Sequence, residues 1–359
     1  MKRTNEESEL SDLSKQMKRK TKKDKEPKEE PPKYEGNDEL VVSTGSTLLD
    51  LAISGGRIRG GGIPAGIFVE VFGPSSTGKT VLLCEIAGGV QRKGGEIMFK
   101  DPEARLDKQF AKLFDFDVDE VDYDTPDTVP EVFEPIRGWE PEDTENKING
   151  IFADSLAALS TDMEMEGDDA YGARRAKEFS EQLRRTCRTL MRNNLLLVGS
   201  NQVRVNMNSG PFGEKYNAPG GEALGFYSSL RLRFKYAKKI KKKKKVAGKT
   251  VKKVIGIETE VEVYKSSVWK PHNTATITIL FDYGIDSIRD ELQFIKDYTS
   301  NNVYTLDGAD LHNSMDKSIR MVEKEGKSAI KKLRKQTIDL WEEIQQKFEQ
   351  KRKPKPRFE

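Results

Sequence analysis

Apolar residues occur along the chain in short runs, and the period of each run predicts the element it forms. The runs at 69–72, 96–99, 148–153 and 195–200 are near-continuous, as strands covered on both faces are. Between them apolar positions recur at helical spacing: from Lys79 to the Gly94-Gly95 stop, through Val132, Phe133, Ile136 and Trp139, and along the arginine-bearing segment before Leu195. Ser46 is placed to cap a short helix running through Ile53, and the glycines after it form a loop. Further on the pattern changes to alternation at 230–234, 260–264 and 274–281, which predicts half-exposed strands, the first two joined as a hairpin. From 314 to 348 apolar residues recur at helical intervals amid dense charge, predicting one or two amphipathic helices. Strand and helix in alternation define an α/β core.

The ends differ from this core. Residues 1–38 mix lysine, arginine and acidic residues with three prolines and few apolar side chains, too little to offset the entropy of ordering, and are read as a mobile arm. It is either a tether to a neighbouring subunit or nucleic acid, or a solvating tail. The divisions expected are therefore the arm at 1–38, the core at 39–290, a small helical region at 291–350 and a basic tail at 351–359. The 62 Lys+Arg and 59 Asp+Glu nearly cancel at net charge +3, so overall charge does not indicate a partner. No apolar run reaches the roughly 20 residues of a membrane span, and the start has no apolar signal core; an intracellular, cytoplasmic protein is expected. Cys84 and Cys187 lie in helical apolar contexts and are read as buried thiols, while two histidines leave little scope for histidine catalysis.

The chemistry centres on G-x-x-x-x-G-K-T at 73–80, set between an apolar strand and a helix. Glycines let backbone N–H groups converge on phosphate oxygens, and the helix N-terminus adds positive potential. Gly73, Pro74, Ser75, Ser76, Thr77, Gly78, Lys79 and Thr80 are thus the expected triphosphate cradle, with Lys79 reaching the terminal phosphates and Thr80 a Mg²⁺ ion. Glu103 follows the second strand, where open α/β sheets place ligands, and is the candidate base for the attacking water; a solvated loop glutamate is the competing reading. Asp154 closes the third strand and has the placement of a second magnesium residue opposite Thr80.

Two basic stretches remain. Arg174, Arg175, Lys177, Arg184, Arg185, Arg188 and Arg192 form either a solvated helix face or a phosphate-backbone track. The lysines at 238–245, in the connection between two strands, are either a solvated hairpin tip or a salt-dependent, sequence-blind nucleic-acid attractor. The segment 161–175 is read as a loop, as is 203–221, whose length marks it as functional or disordered.

The chain resembles the bacterial RecA-type recombinases. The resemblance is carried by V-S-T-G-S at 42–46, the 69–80 stretch, F-K-D-P-E-A-R-L-D at 99–107, D-S-L-A-A-L at 154–159, N-Q-V-R at 201–204 and G-G-E-A-L-G-F-Y-S-S-L-R-L at 220–232. It implies an ATPase core with a central, mostly parallel twisted sheet flanked by helices, using ATP and Mg²⁺. It also implies a protein that polymerises on single-stranded DNA and exchanges strands with a duplex. By the same resemblance Glu103 is the catalytic glutamate, Asp107 and Phe110 hold the adenine, and Gln202 senses the γ-phosphate and signals to the second DNA loop. Lys265 reaches across a subunit interface to the neighbour's γ-phosphate. DNA contacts fall to Tyr171, Arg174 and Arg175 in a first loop at about 162–175, to Arg204, Met207, Phe212, Gly220 and Gly221 in a second at 203–221, and to Lys235.

Departures from the family pattern are specific. Phe110 stands where a tyrosine is usual, Ser267 replaces the second of two interface lysines, and Gly225 replaces another. Loss of a cation beside a developing negative charge weakens transition-state stabilisation, unless Lys270 substitutes. The arm lacks the apolar helix that docks on a neighbouring subunit, and 351–357 is basic where the family is acidic. Two rivals to the recombinase reading are an ATP-binding, non-hydrolysing mediator and a hexameric helicase on the same core. Such a divergent form would suit a phage protein acting in its host's cytoplasm.

Overall fold

The structure, a computed structural model, describes residues 40–160, 171–205, 216–217 and 221–349. The arm, the basic tail and the expected DNA contacts Met207, Phe212 and Gly220 lie outside these residues. The core is built on one ten-stranded sheet. Its strands are β1 (Phe68–Gly73), β2 (Ile97–Lys100), β3 (Asp122–Asp124), β4 (Asn149–Ala153), β5 (Leu195–Gln202), β6 (Leu230–Phe234), β7 (Lys238–Val246), β8 (Lys249–Ser266), β9 (Thr274–Leu280) and β10 (Gly284–Ile285). Six run parallel in the spatial order β6-β1-β5-β4-β2-β3. Beyond β6 the sheet continues antiparallel through β8, β9 and β10, and β7 pairs with β8 off the main path.

The helices are α1 (Thr47–Ser54), α2 (Lys79–Arg92), α3 (Lys108–Lys112), α4 (Val129–Gly138), α5 (Tyr171–Arg192), α6 (Gly221–Tyr227), α7 (Ser287–Tyr298), α8 (Met315–Glu325) and α9 (Lys327–Lys347). None among the described residues is long and apolar enough to cross a membrane. The sheet is covered on both faces, which is why its central strands read as unbroken apolar runs. One apolar cluster joins Leu83, Ile86 and Val90 of α2 to Val71, Phe99 and Ile277; another joins Val132, Phe133 and Ile136 of α4 and Phe179 and Leu183 of α5 to Phe68, Ile151 and Leu197. Cys84 is buried in α2 and Cys187 is half-buried in α5; both are free thiols.

Several local readings change. Ser46 does cap α1, accepting the Leu49 amide, and residues 122–124, where no apolar pattern predicts an element, form an edge strand. Its aspartates are exposed, and the buried Lys100 on the adjacent strand finds its counter-charges in them, Asp122 at 3.9 Å and Asp124 at 3.3 Å. The 161–175 segment is not loop throughout: α5 begins at Tyr171, so Tyr171, Arg174 and Arg175 lie on helix. The 203–221 segment likewise contains a short antiparallel pair, 204–205 with 216–217, and gives way to α6 at Gly221. The 238–245 lysines are not a tip. They form β7, and the turn lies beyond them at Ala247 and Gly248, both with positive φ (48° and 79°), the pattern of a two-residue type I′ hairpin. Strand pairing is a main-chain interaction, so a run of one charge in sequence does not prevent it.

The C-terminal helices form a third apolar cluster with α7, in which Leu292, Val322 and Leu333 are buried. A Trp269–Trp341 contact, with ring centroids 5.6 Å apart, and the Arg59 pairs with Asp339 and Glu342 hold α9 against the core. At the junction Asp290 of α7 is buried and accepts the Thr278 amide of β9 at 2.9 Å. Burial pushes its carboxyl up to about 7, against the Thr278 hydrogen bonds that pull it down. An acid whose folded pKa is raised stabilises the fold below its unfolded pKa and loses that contribution as pH rises to about 7. Asp290→Asn keeps an acceptor for Thr278 and cannot ionise. Urea denaturation is therefore expected to show the variant more stable than wild type at pH 8, by on the order of 2–4 kcal/mol, with the difference vanishing by pH 4.

Candidate phosphate-binding and catalytic site

Four adjacent parallel strands, β1, β5, β4 and β2, deliver their carboxyl ends to one edge of the sheet. The register aligns Gly73 with Gln202, and Ala153 with both Gly199 and Lys100. Gly199 is itself level with Glu70, so β1 and β5 run three residues past the ends of β4 and β2, and the site is assembled along that stepped edge. From β1 comes the glycine-rich loop leading into α2. Gly78 at the N-cap of α2 has φ 102°, a conformation that strains any residue with a Cβ, and a Cβ there would meet Ile279 at 2.3 Å. Lys79 is buried and donates to the carbonyls of Gly73 and Pro74 at 3.1 and 2.7 Å, folding its ammonium back over the loop. Burial lowers its pKa, offset by the nearby Asp154 and Glu103 carboxylates.

The Thr80 hydroxyl donates to Asp154 at 2.6 Å, and the Ser200 hydroxyl donates to the other carboxylate oxygen. Burial raises the Asp154 pKa, partly countered by those two hydrogen bonds, while Glu103 and Asp101 raise it further. A buried carboxylate among other carboxylates favours a cation. Thr80 and Asp154 supply hard oxygens suited to Mg²⁺, which is held by one or two protein groups together with phosphate and water.

Glu103 leaves the end of β2 and turns to the same point. One of its oxygens accepts from Ser155, at 2.7 Å, and from Gln202, at 3.3 Å; the other pairs with Arg105 at 2.6 Å. The structure thus brings together Glu103, expected from its strand end, and Gln202, expected from the family resemblance, but what fixes the loop carrying Glu103 was not expected. That is Asp101, buried, which accepts the Arg105 and Leu106 amides and the Tyr123 hydroxyl, each at 2.8 Å. Ser155 and Ser200 were also missed, because a serine at a strand end carries no distinguishing pattern.

The remaining expected residues lie elsewhere. Asp107 caps α3 by accepting the Phe110 amide at 2.8 Å, and Phe110 packs edge-on against Phe114 with centroids 5.0 Å apart. Both follow Glu103 on the same connection. Lys265 lies level with Arg231 and Glu70, three residues before Gly73 in the register and two strands away. That is about 10 Å along the strand and about 10 Å across from its own phosphate loop. Its ammonium donates to the carbonyls of Gly225 and Phe226 at the end of α6, at 2.8 and 2.9 Å. Arg175 donates to the Leu156 and Ala157 carbonyls at 2.9 and 2.7 Å, Lys235 is ion-paired with Glu260 and lies 3.7 Å from Glu262, and Arg204 is in the short strand at 204–205.

Behind the site lies a charged cluster. Glu70, fully buried in β1, accepts from Arg231 of β6 at 2.6 Å and from Asn201 of β5 at 3.0 Å. The Arg231 guanidinium also lies 4.5 Å from the Phe72 ring centroid and 5.3 Å from that of Tyr264. The signal was present in the sequence, as a glutamate inside an apolar run requires a partner. Asn201 immediately precedes Gln202, so this cluster ties the strand that bears the glutamine to β1 and, through it, to β6.

A central parallel sheet with a glycine-rich loop between strand and helix defines a phosphate-loop nucleotide-binding core. The family model described as the RecA N-terminal domain matches residues 33–286. Protein RecA of Rickettsia canadensis is 36% identical over 249 residues, covering 68% of this chain and 67% of the relative. Protein RecA of Rickettsia prowazekii is likewise 36% identical over 249 residues, 68% of this chain and 67% of its own. Protein RecA of Delftia acidovorans is 34% identical over 250 residues, covering 69% and 64%. The chain belongs to the RecA family.

Glu70→Ala would leave the Arg231 guanidinium largely buried without its carboxylate and is expected to cost about 3–5 kcal/mol in denaturant unfolding. Arg231→Leu combined with Glu70→Ala should recover part of that loss. Strict additivity of the two single substitutions in a double-mutant cycle would show that the pair is not coupled.

Proposed function

We propose that this RecA-family chain is a DNA-dependent ATPase that polymerises on single-stranded DNA and carries out homologous pairing and strand exchange. The observation that carries the reading is the single Glu103 oxygen shared by Ser155 and Gln202, beside the loop that holds Lys79. In this reading the loop amides and Lys79 bind the triphosphate, and Thr80 and Asp154 hold Mg²⁺, which neutralises phosphate charge when bound. Glu103 accepts the proton of the attacking water. Gln202 donates to the γ-phosphate when it is present and returns to Glu103 when it is gone. Because the chain continues from Gln202 directly into the 203–221 segment, that exchange would govern whether the segment can hold DNA.

Lys265 sits well back from its own loop, so in this reading it serves the γ-phosphate held by a neighbouring copy, with the nucleotide between subunits. Asp107 and Phe110 are proposed at the adenine. Tyr171, Arg174, Arg175, Arg204, Met207, Phe212, Gly220, Gly221 and Lys235 are proposed as the DNA contacts. Of these, Arg175 and Lys235 would have to exchange existing partners for phosphate.

A second reading, an ATP-binding mediator that turns over little nucleotide, is favoured by one observation. Exposed Ser267 offers a hydroxyl where a second cation is expected. Hydrolysis measured with and without single-stranded DNA separates the two, since DNA stimulation supports the ATPase.

Two variants test the mechanism. Lys79→Ala is expected to abolish ATP-dependent filaments on single-stranded DNA in electron micrographs; filaments equal to wild type would sink the proposed coupling. Ser267→Lys adds a cation next to the proposed interface and is expected to raise DNA-stimulated turnover about five- to tenfold, which corresponds to roughly 1–1.4 kcal/mol of added transition-state stabilisation. Unchanged turnover would remove Ser267 from the account.

A further inference from the structure

The hairpin of β7 and β8 extends past the sheet as a free two-stranded ribbon. Residues 241–254 are exposed at every position. Cross-strand register assigns the side chains to two faces, since directly opposed residues share a face. Lys241, Lys243, Lys245 and Lys252 occupy one, with Val254 and Thr250; Lys242, Lys244, Lys249 and Lys253 occupy the other, with Val246 and Val251. Neither face has the apolar-in, polar-out division of a strand that covers a core.

Two pairs, Lys242 with Lys253 and Lys243 with Lys252, set like charges directly opposite each other, which opposes formation of the ribbon. Among the described residues none of these eight lysines is in an ion pair; the contact nearest the base is Lys238 to Glu258 at 3.5 Å. The next basic groups toward the sheet are already neutralised. Lys235 pairs with Glu260, and Arg233 with Glu262 at 2.6 Å. Positive charge is thus compensated where the ribbon leaves the core and left uncompensated along the ribbon itself.

We propose that this ribbon is a duplex-DNA site that works without nucleotide. Charge on both faces calls for a polyanion that flanks the ribbon on two sides. A duplex groove offers that, with a phosphate backbone on each wall, whereas a single strand follows one face. A two-stranded ribbon is also the kind of element the roughly 12 Å major groove admits. The six residues 241–246 span about 20 Å, enough to lie along several base pairs. Lysine is a point charge without the fork that reads base edges, so recognition is of the backbone and independent of sequence. The inference extends the proposed function to a second DNA contact, but stands on the ribbon alone.

The test uses the full chain, a fluorescein-labelled 30-bp duplex and the matching single strand, with anisotropy read across a salt series and no nucleotide added. Wild type is expected to bind the duplex more tightly than the single strand. Replacing Lys241, Lys243, Lys244 and Lys245 together by Gln should weaken duplex binding at least about tenfold at 0.1 M salt, and make the slope of log K against log salt shallower by about 3–4. The same four positions changed to Arg should retain binding. Replacing 243–252 by Asn-Gly, which removes whole cross-strand pairs and closes the shortened ribbon with a type I′ turn, should lose binding as the Gln variant does.

Lys79→Ala is expected to bind duplex as wild type does, separating this site from the proposed ATP-controlled one. The proposal fails if wild type shows no nucleotide-free duplex binding, if the Gln variant binds as wild type does, if the single strand is preferred, or if Lys79→Ala abolishes the binding.

Discussion

One carboxylate oxygen of Glu103 receives hydrogen bonds from Ser155 at the end of β4 and from Gln202 at the end of β5. Glu103 itself leaves β2, so a single acceptor joins three strands of the sheet at the edge where the phosphate loop begins. A carboxylate bound in this way is oriented before any ligand arrives, which is the condition for electrostatic preorganisation. Its position depends in turn on Asp101, one of whose carboxylate oxygens fixes the turn carrying Glu103. Burying Asp101 is permitted because two backbone amides and a tyrosine hydroxyl satisfy it.

The same logic extends to the interior of the sheet. Glu70 would be costly in a strand covered on both faces were it not held by Arg231 and Asn201 from the strands on either side. The cluster locks β6, β1 and β5 in one register. It also places a charged network directly behind Gln202, so a movement of that side chain occurs against a fixed support.

Much of this was legible in the chain, for identifiable reasons. The phosphate loop, its strand and its helix follow from glycine spacing and apolar runs, and the place of Glu103 and Asp154 at the sheet's carboxyl edge follows from the predicted strands before them. What escaped was of two kinds. Positioning groups such as Asp101, Ser155 and Ser200 act through hydrogen bonds between distant segments, and no local period marks them. Secondary structure set by pairing rather than patterning also escaped: 122–124 is an edge strand supported by Lys100, and the lysine run is a strand because its main chain finds β8. The start of α5 at Tyr171 was hidden by glycines and charge that read as loop.

The ammonium of Lys265 has a role within the single chain that bears on how copies of it would meet. It closes the carbonyl end of α6, a helix of seven residues with no basic residue in its own last turn. Any anion that drew Lys265 away would leave two carbonyls without that donor and loosen so short a helix at its exit. In the assembly proposed above, arrival of a neighbour's phosphate would then be felt at once in the polypeptide leading back from α6, and recruitment of each added copy would carry its own signal to the segment before it.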